Sequence, residues 1–203
     1  MNELLAWHFL PAPDKNGEIK TRFSNEPVFT GSVHTTNKPV IVGDFGYHAC
    51  DNIYDACIFS KGTTLSRVCL AGDIQYLNQI SLSMHAASTR IVLWYKPLTP
   101  VMIREIGIHI TEAYLREMNI TDKALWKAVD LTKQYVAGNA TEQDLENYSS
   151  TVRNLKYGLL VHSMLVGGLS LCPLTYWEYN LFAYVTKIKK DLDKILIPLV
   201  ESW

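Results

Sequence analysis

The stretch GDFGYHACDNIYDAC, Gly43 to Cys57, decides how the first half of this chain is read. Two glycines, three aspartates, two cysteines and a histidine fall within it, with aromatic residues between them. Gly43 and Gly46 permit a chain reversal into a short strand, YHAC. Asp51 or Asn52 then caps a helix, NIYDACIFS, in which Ile53, Ala56 and Cys57 recur at steps of three and four. The stretch reads as a strand-to-helix corner whose helix lies over a sheet. His48 is then a half-buried, hydrogen-bonded residue, and Cys50 fills a position that needs a small side chain.

Two chemical readings compete with that structural one. A zinc site would take His48, Cys50 and Cys57, with Cys69 or His85 as the fourth ligand. The spacing lacks the close cysteine pair that preorganises a structural zinc site, so no metal is assigned. A thiol nucleophile would pair Cys50 with His48 or His85, which needs an oxyanion hole and an orienting carboxylate. Neither has a signature here. The motifs name no cofactor and no catalytic residue.

Composition sets the wider frame. The chain has 203 residues, 48% hydrophobic and 19% charged, enough for a substantial core. Nineteen basic against twenty acidic residues leave a net charge of −1, without the basic excess of a nucleic-acid binder. The run TKIKKDLDK (186–194) carries four lysines but also two aspartates, and reads as a solvated helix face. The opening MNELLAWHFLPAPDK has an acid at Glu3 and no basic segment, unlike a signal peptide. The longest apolar run, GLLVHSMLVGGLSLCPL (158–174), is interrupted by His162, Gly167, Gly168 and Pro173, short of the roughly 20 clean residues of a membrane span. Four cysteines, Cys50, Cys57, Cys69 and Cys172, do not form a disulfide framework. The expectation is a soluble protein of a reducing cytoplasm.

Two kinds of sequence grammar follow one another. Up to about residue 98 the chain is rich in turn residues separated by the short runs PVFTGSVH, KPVIVG, LSRVCLAGDIQYL and TRIVLWY, which predict strands. From Thr99-Pro100 onward it is helical. VMIREIGIHITEAYLREM forms one helix, and Thr121 opens a second that Gly138 stops. Thr141 begins a third, with Leu145, Tyr148, Val152, Leu155, Leu159 and His162 on one stripe up to Gly167-Gly168. A last helix spans about Thr175 to Leu196. The predicted fold is α+β. Residues 1–98 form a small sheet-containing mixed module, and residues 99–203 form a bundle of about four helices packed on it.

On these residues the chain resembles a family of small phage and prophage proteins with a G-[FL]-H-A-[CS] motif. GYHAC, the short helix after it, LSRVCLAGDI and ASTRIVLW follow in the family's order, over roughly Gly43 to Trp94. The family pattern carries an acidic residue and a lysine ahead of the last strand, whereas SMHAAS here has Met84 in the lysine's place. The resemblance implies a phage or mobile-element setting in a bacterial host. A looser likeness to ADP-ribosyltransferase folds implies an NAD pocket and a late glutamate. Between Leu70 and Pro100 the only acid is Asp73, and Glu105 falls on the first bundle helix.

Two residue groups stand as candidate sites. Tyr47, His48, Asp51 and Arg90 would line a ligand pocket at the corner. Arg90 suits a carboxylate or phosphate, although an internal ion pair or a snorkelled place at the sheet edge is the plainer expectation. Alternation puts Arg90 and Trp94 on one face of their strand. The second group lies in PLTYWEYNLFAYV (173–185), where Tyr176, Trp177, Tyr179, Phe182 and Tyr184 spread around the whole helix. Trp177, Tyr179 and Tyr184 are the candidates for binding a host protein, a defence component among them, or a second copy of the chain. No nucleic acid or membrane partner is expected. The leading function is stoichiometric binding rather than catalysis. The alternative is a nucleotide-binding or ADP-ribosyltransferase-like enzyme.

Overall fold

A computed structural model describes residues 3–77, 83–156, 158–167 and 182–203, without the side chains of residues 159, 160, 182–188 and 190. The fold is α+β. The chain divides into two compact units, Met1–Leu98 and Thr99–Trp203.

The first unit holds β1 (Glu3–Leu10), β2 (Val33–Thr35), β3 (Tyr47–Cys50), α1 (Ile53–Ile58), β4 (Thr64–Tyr76) and β5 (Met84–Pro97). All pairings are antiparallel. β5 organises them. One edge pairs with β4 along its length, while the other takes β3 at residues 84–87 and β2 at residues 89–91. β1 pairs with β4 from Glu3↔Ala71 to Leu10↔Thr64, and with β3 through Trp7↔Cys50. The pairings β5–β3–β1–β4–β5 therefore close a ring. Barrel width grows with strand number, so four strands leave a narrow interior. The buried cluster fits that space: Ala6, Ala49 and Ala87 lie with Leu10, Val68, Leu70 and Val92, and Ile19 and Val28 complete it from the segment between β1 and β2.

Two bulges bend the β4–β5 hairpin, one between Arg67 and Val68 and one between Ala71 and Ile74, where Gly72 takes φ +80°. The first corrects an expectation. Arg67 pairs with Trp94 and Val68 with Val92, so Leu93 is an inserted residue. The insertion reverses the alternation, and Arg90 and Trp94 face opposite sides.

Other strand expectations also change. β1 was not anticipated at all. Of PVFTGSVH only Val33 and His34 enter a strand, because Gly31 turns the chain at φ +90°. KPVIVG forms no strand; its Ile41 makes a single bridge to Phe45, closing a tight turn through Gly43 at φ +86°. LSRVCLAGDIQYL and TRIVLWY do fall in β4 and β5.

The second unit contains α2 (Pro100–Glu117), α3 (Lys123–Val136), α4 (Glu142–Arg153), α5 (Gly158–Leu165) and α6 (Phe182–Ser202). Their starts are written locally. Thr99 accepts from the Met102 amide with Pro100 in the first turn, and Asp122, not Thr121, caps α3. Thr141 and Asp144 form a reciprocal capping box on α4. The single helix expected from Thr141 to Gly167 is two helices. Asn154 ends α4, and the chain folds back so closely that a Cβ on Gly158 would overlap the Val152 carbonyl oxygen. Of the expected stripe Leu145 and Val152 are buried, whereas Tyr148, Leu155 and His162 are half-buried; past the break the buried positions are Val161, Met164 and Leu165. The part of the expected last helix before Phe182 lies outside the described residues. Among the described residues no helix is long and apolar enough to cross a membrane.

Candidate functional site

The corner is built from short local bonds. Asn52 caps α1 by accepting the Asp55 amide at 2.8 Å on Oδ1. Its Nδ2 donates to Asp55 Oδ2 at 2.8 Å. Asp55 is fully buried, and the same Oδ2 accepts the Ser83 amide at 3.0 Å and the Ser83 hydroxyl at 2.6 Å. Ser83 Oγ in turn accepts from the Asp51 amide at 3.1 Å. Asp51 Oδ1 meets His85 Nε2 at 2.7 Å. The helix N-terminus and the start of β5 are thus pinned together by one polar network. Sequence reading missed Asp55 and Ser83. The Asn52-x-x-Asp55 spacing was a legible capping signal, whereas Ser83 has no local one.

His48 does not join that network. Its Nε2 accepts the Gly43 amide at 2.9 Å, which braces the glycine turn ahead of β3. With Trp7, Phe9, Cys50, Phe59 and Met84 it lines a cleft of about 50 Å³ between β1, β3 and α1. Sites for small molecules are about 300–1,000 Å³, so a nucleotide does not fit this cleft. Cys50, Cys57 and Cys69 are buried thiols. Burial pushes the Cys57 thiol far above its ordinary range, with Asp55 adding to the effect, which leaves it a poor nucleophile and ligand. Among the described residues no group of three His, Cys, Asp or Glu side chains is placed to hold a metal ion.

Tyr47 and Arg90 lie elsewhere. Adjacent strand residues point to opposite faces, so Tyr47 turns away from the His48 cleft and packs at the margin of the ring interior. The Arg90 guanidinium sits 5.1 Å from its ring centroid, and the Tyr47 hydroxyl donates to the Thr35 carbonyl. Arg90 is 4% exposed, so it does not snorkel, and it makes no ion pair among the described residues. The four candidate ligand residues therefore do not converge: Tyr47 and Arg90 meet, while His48 and Asp51 serve the turn and the corner. Trp177 and Tyr179 lie outside the described residues, and Tyr184 falls in α6 with its side chain undescribed.

Burial holds the His8 imidazole well below its ordinary pKa of 6.5, and Arg90 and His48 push the same way. Burial also lowers His48, opposed by the carbonyls of Gly46 and Ile41, with Arg90 adding to the lowering. Both rings stay neutral in the folded state at pH values where the unfolded chain protonates them. Stability of this unit is expected to be complete well above the unfolded pKa of about 6.5 and to fall as the pH drops through and below it. Urea unfolding at a series of pH values tests this, and a His8→Gln variant should flatten the profile. Stability that rises on acidification would mean the folded rings take protons more readily than the unfolded ones.

Comparison of the chain with protein-family models, with curated proteins and with solved structures finds no match. Site and fold together define a small α+β protein with a ring-closed sheet and a hydrogen-bonded polar corner.

Proposed function

We propose that this chain is a binding protein, an accessory factor of a phage or mobile element that acts by holding a host protein. The observation that carries this reading is Phe23, which is 94% exposed at the tip of a locked turn. The turn is held by bonds between Thr21 and the Glu26 backbone, by Thr21 Oγ1 with Ser24 Oγ at 2.6 Å, and by Ser24 Oγ with Glu26 at 2.9 Å. Asn25 completes it in the left-handed region at φ +56°. A backbone already ordered around a solvent-facing aromatic loses little further entropy on binding, the condition an interface anchor needs. The following turns also expose apolar side chains, with Phe29 and Val33 each 57% exposed and Ile41 50%. The corner, by contrast, spends the polar groups a reaction would need on internal bonds.

The alternative reading, a nucleotide-binding or transferase-like enzyme at the corner, draws no support from a cleft of about 50 Å³. The test is capture of a partner from bacterial host lysate on tagged protein, with Phe23→Ser and Trp177→Ala alongside. A stoichiometric partner is expected with the wild type and at least tenfold less with Phe23→Ser, whose melting temperature should stay within about 1 °C because the side chain packs against little. A partner kept by Phe23→Ser but lost with Trp177→Ala would move the interface to the C-terminal aromatic segment. No stoichiometric partner for the wild type would overturn the reading.

A further inference from the structure

Two arginines of this chain are nearly fully buried, and their surroundings treat them differently. Arg104, 2% exposed, is neutralised and saturated: it meets Glu142 Oε1 at 2.7 Å, donates to the Leu165 carbonyl at 3.3 Å and stacks over the Tyr135 ring. Arg90, 4% exposed, has none of this. Its Nε is sealed from solvent without a hydrogen-bond partner, and no carboxylate among the described residues lies within ion-pair distance. Glu26 is close enough to feel the Arg90 charge, yet its Oε2 is taken by His34 Nδ1 at 3.0 Å and the Ser24 hydroxyl at 2.9 Å. A buried cation with no anion in direct contact is costly, and the Glu26 charge at longer range and the Tyr47 face 5.1 Å away offset only part of that cost.

The setting is built rather than incidental. Arg90 stands directly across from His34 in the β2–β5 pairing, and the His34 ring lies 6.1 Å from that of Tyr47 on β3. Three planar side chains from three strands thus gather where β2 and β3 share the edge of β5. His34 is itself 3% exposed and anchored at both ring nitrogens, by Glu26 and by Ser32 Oγ at 3.0 Å. Tyr47 is tied down through its hydroxyl to Thr35. The guanidinium is therefore held beside Tyr47 with its Nε buried and unpartnered. A planar fork of that kind matches a carboxylate or phosphate with two parallel bonds.

We propose that Arg90 anchors an oxyanion-binding site walled by Tyr47 and His34, which takes the phosphate or carboxylate group of a ligand. Glu26 links the two regions, because it holds the Phe23 turn and bonds His34, but the proposal does not rest on the Phe23 reading. The test is thermal unfolding of the full chain at constant ionic strength with inorganic phosphate, acetate or chloride, for the wild type, Arg90→Met and Arg90→Lys. Phosphate or acetate near a hundredfold excess over its dissociation constant should raise the wild-type melting temperature by about 5–10 °C, and chloride should not. The oxyanion that acts at the lower concentration identifies the group the site takes. Arg90→Met should fold in chloride buffer and lose the oxyanion-dependent rise. Arg90→Lys keeps the charge but not the fork, and should need at least tenfold more oxyanion for the same rise. No wild-type rise with either oxyanion would overturn the proposal. So would an equal rise in Arg90→Met, the generic effect of excluded salts, or an unchanged concentration dependence in Arg90→Lys.

Discussion

Gly62→Ala is expected to cost the sheet unit about 3 kcal/mol, more than its half-buried position in a loop sequence, KGTT, would indicate. A Cβ on Gly62 would overlap the Leu10 carbonyl oxygen and lie 2.7 Å from Pro11 Cα and 2.8 Å from Leu10 C. All three obstacles are backbone, so no side-chain rotation relieves them. The end of β1 would have to move away from the start of β4. That movement strikes the last pair of the register, Leu10↔Thr64, and the bond from Thr64 Oγ1 to the Pro11 carbonyl at 2.8 Å. It also spreads, because β4 lies between β1 and β5 in a closed ring and Leu98 bonds the Thr63 carbonyl just beyond. Urea unfolding should show a midpoint lowered by about 1–3 M at an unchanged slope. Gly43→Ala makes the contrast, since a Cβ there meets nothing within 4 Å and only the φ of +86° opposes it. Its cost should be about 1–2 kcal/mol. A loss at Gly62 no larger than that at Gly43 would mean that the end of β1 yields to the added Cβ at little cost, since Gly62 has no left-handed φ of its own to oppose alanine.

Asp55→Asn is expected to cost about 2–4 kcal/mol, although the side chain keeps its size. Oδ2 of Asp55 accepts from Asn52 Nδ2, the Ser83 amide and the Ser83 hydroxyl inside a fully buried site. A carboxamide must either offer its NH₂ group to those donors or turn its oxygen to them and place the NH₂ where the other carboxylate oxygen was. Buried donors left unmatched lose both their partner and water. Ser83→Ala removes one donor with its acceptor role and should cost less, about 1–2 kcal/mol. The two changes share a network, so the double variant should be less destabilised than the sum of the singles. Strict additivity, or an Asp55→Asn loss below about 0.5 kcal/mol, would show that the corner is not held by this carboxylate.

These two residues illustrate which parts of the protein can be read from sequence. The helices of the second unit are legible because their signals are local. Thr99 with Pro100 and Thr141 with Asp144 satisfy amides within three residues, and apolar residues repeat at steps of three and four between them. The break between α4 and α5 is not legible because apolar residues at steps of three and four, Val152, Leu155 and Leu159, span it in the sequence. β1 escaped for a related reason. Ala6, Trp7, Phe9 and Leu10 are buried on both faces, so the alternation that marks a half-exposed strand is missing. Alternation also failed for Arg90 and Trp94, because a bulge adds a residue that periodicity does not register.

The sequence by itself determined the α+β class, the turn into YHAC, the helix after it and the starts of α2 and α4. All depend on residues a few positions apart, where propensity, capping and glycine freedom act directly. Tertiary structure alone decided that β3 closes a ring between β1 and β5, which depends on a Trp7↔Cys50 pairing between strands far apart in sequence. It also decided that Asp55 meets Ser83, 28 residues away, and that Arg90 is enclosed without a carboxylate. A buried polar group is made costly or harmless by the neighbours that folding brings to it, and those neighbours are distant in sequence.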